Sequence, residues 1–151
     1  MRNASESELS PSQQEDLRVI VGIMIPASEE FGVPGADDEA IISDMLRSMG
    51  RDAGAVRAAL VRLHALAGGR LNEIGDEHRQ RVTEAFLSSD APEVATLGRV
   101  VLQCYYRDDR VVRSLGREAR PPFPGGHKLE QGDWSLLDPV RGRPQMWRAA
   151  R

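Results

Sequence analysis

Between Ser10 and Tyr106 the apolar residues recur every three or four positions, and no segment alternates apolar with polar residues as a strand does. This period constrains the fold more than any other feature. It argues against a sheet and predicts helices that meet along apolar stripes. Leu17, Ile20, Val21 and Met24 stand at i, i+3, i+4 and i+7, and Val19, Ile23 and Ile25 widen the face, so a central first helix is expected. Ser10-Pro11-Ser12-Gln13 marks its start, with a capping hydroxyl, a proline suited to the first helical position and a glutamine where a capping box needs one. Ile25-Pro26 ends it, and Ser28 to Ala36, with Gly32, Pro34 and Gly35, reads as a loop.

Four more segments follow the same rules. Asp37-Asp38-Glu39 puts acidic residues on the first turn of a second helix, where the helix dipole favours them. Ile41, Ile42, Met45, Leu46 and Met49 form its stripe, and Gly50 is expected to end it. Asp52 is placed to cap a third helix carrying Val56, Leu60, Leu63 and Ala67, closed by Gly68-Gly69. Gly75-Asp76 opens a fourth with Val82, Phe86 and Leu87. Asp90-Ala91-Pro92-Glu93 reads as an acidic cap for a fifth, on which Val94, Leu97, Val101 and Tyr105 keep the period. Aromatic residues are only 5% of the chain, so the core must come from Leu, Ile, Val, Ala and Met.

After Tyr106 the character changes. Residues 107–151 hold five of the nine prolines, five of the fourteen glycines and both tryptophans. Residues 1–106 carry 10 basic and 17 acidic side chains, whereas residues 107–151 carry 10 and 6. Arg107 to Leu115 can extend a helix or form a short one, but from Arg120 onward no period survives. The predicted fold is therefore all-α, a small bundle of about five helices at 10–106. A disordered N-terminus at 1–9 precedes it, and a long irregular Pro/Gly-rich tail at 107–151 follows. Two tryptophans are unusual for a disordered linker, so the tail is expected to lie on its own bundle, on a partner, or across both.

Chemistry-bearing residues are sparse. The single cysteine, Cys104, permits no intrachain disulfide and is expected to be a buried small hydrophobe. His64, His78 and His127 lie in separate segments without ligand spacing; surface or capping roles suit the first two, and His127 falls in a loop beside Gly125-Gly126. No GxGxxG, P-loop, GxSxG or HExxH pattern occurs. No catalytic, cofactor-binding or metal-ligating residue is assigned. At 151 residues the chain has room for one domain, too little for a complete dinucleotide-cofactor oxidoreductase. The net charge of −3 argues against a general nucleic-acid binder. Arg107, Arg110, Arg113, Arg117 and Arg120 recur every three or four residues, and Asp108, Asp109 and Glu118 are expected to neutralise them as a solvated face. The leading residues MRNASESELS show no signal pattern, and the apolar run from Val19 to Ala27 is about half the ~20 residues of a membrane helix. A cytoplasmic chain without membrane insertion is expected, periplasmic only if exported with a partner.

Two stretches together resemble one family: VIVGIMIPASEEFGVPGADDEAIISDML at residues 19–46, and YYRDDRVVRSLGREARPPFPGGHKLEQGDWSLLDPVRGRP at residues 105–144. Both look like the gluconate 2-dehydrogenase subunit 3 family, the small subunits of flavin-dependent dehydrogenases whose large subunit is a glucose-methanol-choline type oxidoreductase. The resemblance implies a helical accessory chain without a cofactor of its own, bound to a large FAD-bearing subunit that oxidises an alcohol on a sugar or related compound. Many members carry a twin-arginine signal; this sequence departs from that pattern. Under this reading Phe123, Trp134, Leu137 and Trp147 are the expected anchors, and Arg120, Arg141 and Arg143 add charges at the rim. The alternative is a stand-alone helical adaptor that uses its basic tail to bind an acidic protein or nucleic acid.

Overall fold

The computed structural model describes residues 9–121, 123–126 and 131–144. The chain divides into two compact units, Met1–Ala119 and Arg120–Arg151. The first is an all-α bundle of α1 (Pro11–Met24), α2 (Glu39–Ser48), α3 (Ala53–Ala67), α4 (Asp76–Leu87), α5 (Pro92–Tyr105) and α6 (Asp109–Ser114). Among the described residues there is no strand, only an antiparallel bridge between Ser28 and Val33. No described helix is long and apolar enough to cross a membrane.

The start of α1 follows from its four leading residues. Ser10 Oγ accepts the Gln13 N–H at 3.2 Å, and Gln13 Oε1 accepts the Ser10 N–H at 3.0 Å. Pro11 has no N–H, so two of the three remaining unpaired donors at this helix start are thereby satisfied. Leu17, Ile20 and Val21 then bury completely against the bundle. At the other end of α3, Gly68 takes the left-handed conformation (φ +68°) that lets the chain leave a helix with its last carbonyls bonded. Helix α3 packs on α5, α4 and α1 and so occupies the middle of the bundle. The central place expected for α1 thus falls to α3, whose Val56, Leu60 and Leu63 are sealed from water.

Several local expectations give way to packing. Asp52 stands at the N-cap of α3 as expected, but its side chain makes no capping hydrogen bond and instead meets Arg99 of α5 at 2.9 Å. Asp90 does not cap α5, whose N-cap is Ala91 with Pro92 following, while Glu93 faces Arg62 of α3 at 3.8 Å. Helix α2, by contrast, ends as expected: Met49 is its C-cap and Gly50 follows in the left-handed conformation (φ +49°). Leu9, placed by sequence in the disordered N-terminus, is buried at 5% exposure; residues 1–8 lie outside the described set. The boundary expected after Tyr106 falls instead after Ala119. Two arginines account for the shift. Arg107 donates to Asp44 at 2.8 and 2.5 Å, and Arg110 donates to both oxygens of Asp38 at 3.1 and 2.7 Å. These pairs tie α6 to the start and middle of α2, and Val111 buries beneath them at 2% exposure.

Candidate partner-binding surface

The tail unit is short and carries its apolar residues outward. Asp133 caps a 3-10 turn at Trp134–Leu137 by accepting the Ser135 hydroxyl at 2.6 Å and the Ser135 N–H at 3.0 Å. The Ser135 hydroxyl, and then its backbone N–H, hold the Asp133 carboxyl below the usual carboxylate range. Helix α7 (Asp138–Arg141) continues directly, with Pro139 in its first turn. The Arg143 N–H closes the segment on the Val140 carbonyl at 3.2 Å. A preformed piece of about two turns results, built by sequence-local bonds alone.

Trp134, Leu137 and Arg141 stand at i, i+3 and i+7 along this piece, the spacing with which a docking helix presents its anchors. Trp134 is 62% exposed and Leu137 41%, and Leu136 and Val140 beside them are also exposed. The Trp134 indole N–H donates to Gln131 Oε1 at 3.4 Å, which leaves its ring faces uncovered. Phe123, in the preceding loop, is 85% exposed. Arg141 donates to Asp138 at 3.2 Å, and Arg143 is exposed. Arg120 is used differently from the rim charge the sequence suggested. Its guanidinium donates to the Gly126 carbonyl and, at 3.4 Å, to the Pro121 carbonyl, and so staples its own loop. Trp147 and His127 lie outside the described residues.

The bundle holds two polar clusters that deserve comparison with this surface. In the first, Cys104, buried as expected, sits 3.4 Å from both Ser48 Oγ and Arg107 Nη2. A cleft of about 330 Å³ opens there between α2 and the α5–α6 turn, bounded in part by Asp44, Arg107 and Asp108. Around it, Arg110 holds the Asp38 and Asp108 carboxyls below the usual range by direct hydrogen bonds, and Asp44 raises the Arg107 guanidinium. Every charge in the cluster is answered by a neighbour, and the pairs fasten α6 to α2. In the second, Asp16 is buried at 4% exposure and accepts the Leu71 N–H at 3.0 Å, with His64 Nδ1 at 3.9 Å from its other oxygen. His78 reaches the Ala67 carbonyl at 3.3 Å, a capping contact at the end of α3. Among the described residues no group of three or more His, Cys, Asp or Glu could hold a metal ion.

Sequence reasoning missed Asp16 and the long-range partners of Arg107 and Arg110. Asp16 precedes Ile20 by one helical turn and so falls on the apolar face of α1, which is the signal that marks a buried charge. Arg110 meets its local neighbour Asp108, as the sequence suggests, and also reaches Asp38 at the start of α2, whereas Arg107 reaches Asp44 of α2. Comparison with protein-family models, curated proteins and solved structures finds no match for this chain.

Proposed function

We propose that this chain is a non-catalytic small subunit of a flavin-dependent oxidoreductase of the glucose-methanol-choline type. In this reading FAD resides in the large subunit, which oxidises an alcohol on a sugar or related compound. The chain adds no cofactor and binds no nucleic acid. The complex is cytoplasmic, or periplasmic if the two subunits are exported together.

The observation that supports the reading best is the 131–144 segment, which holds Trp134, Leu136, Leu137 and Val140 exposed on a locally folded frame. An already ordered segment loses less conformational entropy on binding than a loose one. Phe123 and Trp147 extend the apolar set along the tail, and Arg141 and Arg143 stand where paired charges form a rim. The mechanism is burial: binding to the folded, FAD-loaded large subunit and not to its unfolded form stabilises it by mass action.

Co-expression with a flavoprotein of this type from the same organism tests the proposal. The expected result is a yellow complex that elutes as one species with stoichiometric flavin. Trp134→Ala should lose the large subunit or leave it short of FAD while keeping helical circular dichroism. A colourless chain that elutes alone beside the flavoprotein would instead favour the adaptor reading.

A further inference from the structure

We infer that the loop after α1 is a second docking element, a rigid knob that offers Phe31, preceded by Glu29 and Glu30, to an apolar pocket with a basic rim on the partner protein. The inference rests on the reading that a large protein subunit binds this chain, but it uses none of the tail residues.

The loop is held as firmly as a helix end. Ser28 and Val33 exchange both backbone hydrogen bonds at 3.0 Å, the Gly32 N–H donates to the Glu29 carbonyl at 3.2 Å, and the Phe31 N–H points at Ser28 Oγ at 3.4 Å. Its base is fastened to the bundle. The Ala36 N–H donates to the Ile25 carbonyl at 2.9 Å, and the Tyr105 hydroxyl of α5 donates to the Pro34 carbonyl at 3.1 Å. Gly35 permits that close approach, since a side chain there would meet Ala27 N at 3.0 Å and the Ile25 carbonyl at 3.3 Å. Ala36 beside it is fully buried.

This frame keeps Phe31 68% exposed. A single exposed apolar residue is ordinary; an aromatic presented on a fixed loop directly after two exposed glutamates is a more specific arrangement. Loops positioned by a rigid scaffold are where binding residues concentrate. The charges give the second argument. Glu39, Asp44, Asp52, Glu93, Asp108 and Asp109 each meet an arginine within 4 Å. Glu29 and Glu30 are exposed and pair with no described cation. Two carboxylates beside an exposed ring are complementary to lysines or arginines at the edge of an apolar pocket, and charges so placed steer association.

The test measures binding of the purified chain to the FAD-loaded large subunit by biolayer interferometry at low and high salt. Wild type is compared with Phe31→Ala, the Glu29→Gln/Glu30→Gln double variant and Trp134→Ala. Phe31→Ala is expected to weaken binding about thirtyfold, mainly through faster dissociation, with helical circular dichroism unchanged. The double variant should associate more slowly and lose salt dependence. Wild-type affinity in Phe31→Ala, with Trp134→Ala impaired, would overturn the knob and leave the tail reading standing. Loss of helical signal in Phe31→Ala would also overturn it, because the ring would then be structural. An unchanged salt dependence in the double variant would discard the basic rim. Absence of binding by the wild type would remove the subunit reading and this inference together.

Discussion

In the bundle, Phe86, Leu17 and Leu60 are sealed from water; in the tail, every described side chain, including Phe123, Trp134 and Leu136, is exposed. The two regions also differ in how they are fastened. Bundle contacts join residues far apart in sequence, such as Arg110 to Asp38 and Tyr105 to Pro34. The tail frame uses bonds between near neighbours, such as Asp133 to Ser135 and Arg141 to Asp138. An apolar residue in the bundle therefore contributes to stability. One in the tail contributes little to stability and stands ready to be covered, with about 1.5–3 kcal/mol released by each large side chain fully buried.

The comparison can be broken most sharply at Phe86, which is fully buried on α4. Phe86→Ala should destabilise the chain by about 3–5 kcal/mol, read as a lowered denaturant midpoint at constant slope. Trp134→Ala should shift that midpoint by less than about 0.5 kcal/mol, as exposed substitutions do. A large shift would place Trp134 in a core and erase the distinction between the regions.

Asp16 gives the next effect. Asp16→Ala leaves the Leu71 N–H without its acceptor and should cost roughly 1–3 kcal/mol, whereas Asp16→Asn retains a carbonyl acceptor and should recover part of the loss. Equal losses in the two variants would mean that charge, not hydrogen bonding, holds this site.

The smallest effect sharpens the boundary between the regions. Arg110→Ala should destabilise the bundle by roughly 1 kcal/mol at neutral pH, because the pairs it removes are partly exposed. Arg110 lowers the carboxyl pKa of Asp38 and Asp108. The stabilisation from these groups is therefore complete above the ordinary carboxylate range and is lost as pH falls through the lowered values. The deficit of the variant should shrink on acidification, measured as the difference in Tm between wild type and variant from pH 7 to about pH 3. Limited trypsin digestion gives a parallel check. If 107–119 belongs to the bundle, cleavage after Arg117 should precede cleavage after Arg107 or Arg110, and Arg110→Ala should advance cleavage after Arg107.

The sequence by itself determined the helices, because their causes are local. The period of Leu17, Ile20 and Val21, the Ser10 and Gln13 capping box, the Ile25-Pro26 stop and the Gly68 cap act within a few residues and need no knowledge of neighbours. The Pro/Gly-rich break in pattern after Arg120 was legible for the same reason, but the short folded piece at Trp134–Arg141 and the exposure of Trp134 and Leu137 were not. Only the tertiary structure decided which helix is central, where the bundle ends and what each charge does. The Asp52 carboxylate could cap α3 or meet Arg99, and Arg107 could pair nearby or reach α2, while Arg110 does both. Each choice is a competition between a local hydrogen bond and a long-range one of similar strength, and packing settles it by bringing 107–114 against α2 and α1 against Leu71. That proximity depends on the burial of Val111 and Leu17 among residues distant in sequence, which a local pattern does not encode.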